Sequence, residues 1–484
     1  MSAQASPRAR AAPSAATEPA ESLPPGPPLP RALQTIALMA LGARFLDACR
    51  RRYGDLVTIR TVFDEAIVMV FDPQLLRVVF QAPADRLRAG EANALLAPVL
   101  GDRSVLVLDG EEHLARRRLM LPAFHGERLR AHEQTMRDCA DEEIDRWPVG
   151  VPFSLLERMQ ALTLRVILRV VFGTERGDLE DELARRLRAM VAPLSRPGGV
   201  IALIATLRGA RRRGAARQFA ERRQAVDELL YAEIARRRSR APAAGAALAQ
   251  PAGLVPAQPA GLVPAQPADV FSELLAATGE DGSALEDREV RDQLVTLLLA
   301  GHETTATALA WTLDLLLHDR RALALARERD GAHLDAVVRE ALRIRPPIPG
   351  VGRVVRGAPF ELGGFTLPVG TEIDASIRVI HGRGDLYPDP SCFRPERFLG
   401  DDPPDTYTWV PFGGGVRRCL GAAFAQAEMR VVLERVLERT QLRALSRRPA
   451  RPQFRGIVIA PGGGVRAILD SPPRAAGPSH APDQ

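Results

Sequence analysis

Few folds accommodate the stretch PFGGGVRRCLG at Pro411 to Gly421, where three successive glycines precede Cys419 and an alanine-rich helical pattern begins just after it. Glycines let a loop pass close to a flat ligand while turning its amides toward one sulfur. The start of a helix adds positive potential that favours a thiolate. A cysteine so placed suits metal ligation. A merely structural thiol beside an ordinary glycine turn would leave Phe412 and Arg417 unexplained.

Helical periodicity marks the segment from Val290 to Leu317, with Val290, Leu294, Leu298, Gly301, Thr305, Ala308 and Leu315 near one face. Within it, AGHETT at Ala300 to Thr305 sets an acid, Glu303, beside a hydroxyl, Thr304, where Ala300 and Gly301 leave room. A threonine hydroxyl bonds back to a carbonyl one turn earlier and loosens the ladder, so this reads as a pocket with a proton donor. A polar patch between packed helices is the plainer alternative. The zinc motif HExxH, which His302-Glu303 begins, fails because position 306 is Ala306.

Glu340 and Arg343 stand three apart and are able to face a common partner. The same spacing recurs at Glu127/Arg130 and Glu143/Arg146, so the pair gains weight only from Arg397 in FRPERF at Phe393 to Phe398, shortly before the cysteine loop. In the first half, His113 and Arg117 share a helix face and together could grip a carboxylate. For Arg116 and Arg118 a solvated basic face is the expectation.

The 484 residues are 46% hydrophobic and 26% charged, an ordinary globular balance. A prior of about 150 residues per domain would suggest three domains, but no linker divides the chain. Every basic residue is arginine, and the net charge of +6 is spread. Docking of an acidic protein partner is therefore expected, and nucleic acid is not. Cys49, Cys139, Cys392 and Cys419 have neither CxxC spacing nor the density of a secreted framework, which favours a reducing cytoplasm. The apolar run from Ala32 to Ala43, interrupted by Gln34 and Thr35, falls short of the roughly 20 residues of a spanning helix, and no signal peptide or membrane anchor is expected.

Residues 1–22 and 470–484 read as disordered tails around one domain over 23–469. Residues 241–268 read as a Pro/Ala-rich insertion carrying QPAGLVPA twice. Hairpins are expected at Leu56 to Phe71 and at Phe360 to Ile373, the second turning at Gly363-Gly364. The fold class is mainly α with small β-sheets.

Taken together and in this order, these features resemble the cytochrome P450 family of heme-thiolate monooxygenases, from about Leu23 to about Leu469. The family's pattern FxxGxxxCxG is met by Phe412, Gly415, Cys419 and Gly421. The resemblance implies a single large domain with heme b between the long central helix and the helix after the cysteine loop. It implies Cys419 as axial thiolate ligand and Glu303 and Thr304 as the acid-alcohol pair that delivers protons. It implies Glu340, Arg343 and Arg397 as a structural triad, and His113, Arg117, Arg353 and Arg417 as holders of the heme propionates, with Arg356 close enough to compete for the role of Arg353. His113 stands where many members have Trp.

The reaction implied is insertion of one oxygen atom of O2 into an apolar organic substrate such as a lipid, terpenoid or polyketide. Electrons would come ultimately from NAD(P)H through a separate ferredoxin or flavodoxin, docking near Arg116 to Arg118 and Arg430. A heme-thiolate isomerase or peroxygenase would share Cys419 without needing Thr304, and a non-catalytic heme sensor would need no relay. The resemblance is to soluble bacterial members.

Overall fold

The computed structural model describes residues 22–173, 177–193, 213–240, 269–278, 282–328 and 331–475. The octapeptide repeat lies outside the described residues. From the N-terminus, helices α1 (Arg31–Leu41) and α2 (Ala43–Tyr53) precede strands β1 (Leu56–Ile59) and β2 (Ile67–Val70), helix α3 (Pro73–Gln81) and the short strand β3 (Leu87–Arg88). Helices α4 (Gly110–Met120), α5 (Gly126–Ile144), α6 (Leu155–Phe172), α7 (Asp178–Val191) and α8 (Arg213–Arg240) follow, then the central α9 (Asp287–Leu317) and α10 (Gly331–Ile344). Strands β4 (Val351–Val355), β5 (Phe360–Leu362), β6 (Phe365–Leu367) and β7 (Glu372–Ala375), with helices α11 (Ile377–His381) and α12 (Ala422–Arg439), lead to a C-terminal β region.

Local chemistry sets the helix starts. Asp72 accepts from the amides of Gln74 and Leu75 while Pro73 opens α3. Ser154 caps α6, and Glu286 with Glu289 forms a reciprocal capping box at the start of α9. Both expected hairpins form, β1 with β2 and β5 with β6. The main sheet runs β1-β2-β7-β4-β3, and β2 pairs parallel with β7 from the far end of the sequence.

α9 is buried nearly all round, from Val290 through Trp311 to Leu316. Of its buried hydroxyls, Thr305 and Thr312 donate to the carbonyls of Gly301 and Ala308 at 2.9 and 2.8 Å, while Thr307 Oγ1 is buried with no hydrogen-bond partner among the described residues. Around it, α5, α6, α10 and α12 close the largest apolar cluster. A second cluster fills the sheet side, with Val68, Leu76, Phe80, Val355 and Ile373.

Two features depart from the sequence reading. α1 turns its polar residues inward: Gln34 donates to the carbonyls of Pro27 and Leu29 and accepts from the Arg60 amide, and Thr35 accepts from the Val62 amide. The interruption in the apolar run is thus what docks the helix. At the other end, Asp470 and Arg474 stay attached, the Arg474 amide donating to the Arg439 carbonyl at 2.9 Å, so the described chain is held past the point where fraying was expected. Among the described residues no helix is long and apolar enough to cross a membrane.

Candidate active site

The cysteine loop is built on α3. A Cβ at Gly414 would run into the Phe80 ring, and one at Gly415, whose φ is +63°, into the Phe80 carbonyl, so only glycine fits both positions. The loop closes on itself where the Cys419 amide donates to the Phe412 carbonyl at 3.0 Å, and α12 begins at Ala422. Phe412 packs edge-on against Trp409, which packs against Phe398. Burial pushes the Cys419 thiol up, while the Gly421 amide and the charges of Arg117 and Arg418 pull it down. The side chain is nevertheless exposed: it is enclosed by protein without being covered by it.

His113, Arg117, Arg353 and Arg417 come together from α4, β4 and the loop. Burial and the charges of Arg417, Arg117 and Arg353 push His113 down to about 3, so it is a neutral imidazole. Its Nδ1 is buried with no hydrogen-bond partner. Arg353 and Arg417 are each lowered to about 10, chiefly by burial. Arg417 reaches the carboxylate of Asp109 and donates to the Leu108 carbonyl at 2.6 Å. Asp109 in turn takes the amides of Gly90 and Glu91 at 2.8 and 2.9 Å. Desolvated cations in this number beside an orphaned imidazole nitrogen suit a ligand with more than one carboxylate. With a single thiol next to them, the donor set fits heme. Arg356 is not part of this group, because it pairs with Glu91.

Glu340, Arg343 and Arg397 meet as expected. Arg343 donates to both Glu340 oxygens at 2.7 and 2.9 Å, and Arg397 Nε reaches Oε1 at 3.3 Å. The Arg343 and Glu340 side chains are 0% exposed. His381 connects the triad to the cysteine loop: Arg343 donates to its carbonyl at 2.7 Å, and its Nε2 accepts from the Val410 amide at 3.0 Å. Burial and the Arg343 charge lower His381 to about 3.

On α9, Thr304 Oγ1 donates to the Ala300 carbonyl at 2.7 Å. Glu303 turns toward α6, where Gln160 Nε2 donates to its two oxygens at 3.0 and 2.8 Å. Ala300 is exposed and Leu297, Leu299, Glu303 and Thr304 are partly so, along a helix otherwise buried. Sequence reasoning missed Asp109, His381 and Gln160. Only Asp109 left a local trace, standing directly before Gly110 at the start of α4.

The arginines expected to face solvent or a partner are largely engaged. Arg116 pairs with Glu289 at 2.6 Å, and Arg430 pairs with Glu133 at 2.9 Å and Asp335 at 3.7 Å. The reason is that acidic residues on α5, α9 and α10 lie opposite them.

An enclosed but uncovered thiol at the head of a helix, a cationic nest for carboxylates and an acid-hydroxyl pair on a central helix define a heme-thiolate protein of mainly α architecture. The chain belongs to the cytochrome P450 family, whose sequence profile matches residues 24–329 and 332–465. It is 38% identical over 456 residues to "Putative cytochrome P450 137" of Mycobacterium tuberculosis, covering 91% of this chain and 90% of that one. It is 36% identical over 451 residues to "Putative cytochrome P450 135B1" of Mycobacterium bovis, with the same coverage. Among solved structures, the retinoic acid-bound cyanobacterial CYP120A1 shares the fold at a TM-score of 0.75 and 24% identity, over 93% of this chain and 99% of that one. Membership makes the protein, in general terms, a heme monooxygenase and an oxidoreductase.

Proposed function

We propose that the chain inserts one oxygen atom of O2 into an apolar organic substrate, with Cys419 as axial ligand of heme b, and with Glu303 and Thr304 moving protons. The observation that carries this is the meeting of the Cys419 thiol with neutral His113 and the cations Arg117, Arg353 and Arg417 at one place. Heme iron under a thiolate ligand supplies oxygen activation and favours O–O cleavage.

The chain's own residues do the rest. His113, as a neutral donor, and the three arginines would hold the propionates and so orient the cofactor beside Cys419. Thr304 Oγ1 holds its proton on the Ala300 carbonyl and releases it by rotating about χ1. Glu303, one residue earlier, refills it from the α6 side. Leu297 and Ala300, incompletely covered and aliphatic, offer the substrate an apolar wall on the Thr304 face.

Electrons come from a separate ferredoxin- or flavodoxin-type partner fed by NAD(P)H. With Arg116 and Arg430 engaged, the face where α3 meets the cysteine loop is the better dock: Arg77 and Arg418 are exposed there beside Val78 and Val416, which are 46% and 45% exposed. The experiment is turnover under 18O2, with NADPH, a ferredoxin reductase and a ferredoxin, of an apolar ligand first selected by its spin-state shift. One labelled oxygen in the product, dependent on the electron donor, is expected. Product formed without electrons, or carrying no label, would overturn the proposal.

A further inference from the structure

We infer that Gln160 on α6 is the positioning residue for Glu303, and that it holds the acid in a form able both to give and to take a proton. The inference rests on the reading of Glu303 as a proton carrier. Gln160 Nε2 stands 3.0 Å from Oε1 and 2.8 Å from Oε2, so one amide hydrogen points between the two oxygens of a single carboxylate. The reversed amide would set its oxygen against two carboxylate oxygens, which fixes the orientation.

The contact is not isolated. Thr163, three residues on, donates to the His302 carbonyl at 3.0 Å, and Ile167 packs where Gly301 leaves α9 bare. Gln160, Thr163 and Ile167 share one face of α6 and clamp Gly301, His302 and Glu303 in succession. The amide cannot drift without this seam opening.

The chemistry of the partner matters more than its position. Many of the acids in this protein meet arginines, as Glu340, Glu180 and Asp141 do. Among the described residues the one ion-pair contact of Glu303 is with His302 Nε2 at 3.9 Å, and burial pushes that imidazole down, toward its neutral form. The other charge facing His302 is Arg188 from α7. An arginine in place of Gln160 would pin Glu303 as a carboxylate. A neutral amide donates to the carboxylate and still leaves room for a proton on either oxygen, so it keeps the acid in place through both halves of a transfer.

The test is a double-mutant cycle in the heme-loaded enzyme with Gln160→Leu, Glu303→Gln and both. Gln160→Leu should lower product per NADPH about 3- to 10-fold, part of a general acid's roughly 100-fold, with heme content and substrate affinity unchanged. In the Glu303→Gln background it should cause no further loss. The Glu303 carboxylate stretch, obtained in 13C-glutamate protein as the difference from Glu303→Gln, should shift when Gln160 becomes Leu. Gln160→Glu, which forces two carboxyls to share a proton, should make product per NADPH fall with rising pH. Additive losses in the double variant, or an infrared band that does not move, would overturn the inference. Should Glu303→Gln alone keep full coupling, the proton-carrier reading falls, and the inference, which includes proton exchange, falls with it; the infrared shift would then report only the hydrogen bond.

Discussion

Arg343 has Nε and both terminal nitrogens engaged, to Glu340, to the His381 carbonyl and to the Pro390 carbonyl. Arg343→Ala would leave a fully buried carboxylate with Arg397 Nε at 3.3 Å and the Arg394 amide at 3.0 Å, both on Oε1, a loss of about 3–5 kcal/mol. The variant should be poorly folded and heme-depleted, and normal heme content per chain would refute this. Thr304→Ala is a milder change, because its hydroxyl bonds only back to Ala300. Heme and substrate binding should survive it, while peroxide rises and product per NADPH drops sharply, on the scale of the ~100-fold a general acid supplies. An unchanged ratio would remove Thr304 from the relay. Residues carried by a compact motif, such as Cys419 and Glu303-Thr304, were legible in the sequence. Gln160 and His381 were not, because they act on partners 143 and 29 residues away and no local pattern marks them.

Among elements, α1 shows how burial and composition part company. Its apolar run was readable as too short to span a membrane, but the face it buries was not, since Gln34 and Thr35 point inward and Leu33, Ile36 and Met39 are 50%, 61% and 52% exposed. Hydrogen bonds to Pro27, Leu29 and Arg60 satisfy Gln34 in its buried setting. Gln34→Leu should therefore destabilise the protein by about 1–3 kcal/mol despite the added hydrophobicity, because the Arg60 amide and two carbonyls lose their partner. Denaturant unfolding checks this, and an equal or higher midpoint would contradict it. The hairpins were legible because turn residues sit between alternating strands. The parallel pairing of β2 with β7 was not, because register between strands some 300 residues apart is set by the assembled core.

For the molecule as a whole, two sets of buried groups pull stability in opposite directions between about pH 4 and neutrality. His113 and His381 are held at about 3 against an ordinary 6.5, so the unfolded chain binds more protons and stability is lost as pH falls below about 6.5. Glu372 and Asp374, raised to about 7 and about 6 by burial, act in the opposite sense: the folded chain binds the extra protons, and their contribution is lost as pH rises through that range. Glu372→Gln should remove part of this loss, its melting temperature gaining on the wild type as pH rises from about 4.5 to about 7 and holding level above. Parallel curves for the two proteins would show that the ionised form of Glu372 carries no penalty. A single domain agrees with the absence of any linker in the sequence, and one family profile spans nearly all of it.

The central claim is that Cys419 is the thiolate ligand of heme, and its most direct measurement is the carbon-monoxide spectrum of the reduced protein, wild type against Cys419→Ala. Burial raises the thiol against the pull of the Gly421 amide, Arg117 and Arg418, and a bound heme iron would favour the thiolate form. The wild type should give the band of a thiolate-ligated heme, and Cys419→Ala should lose it. A variant that kept the thiolate band would contradict the account, because Cys49 and Cys139 are buried in apolar clusters and Cys392 lies outside the glycine loop.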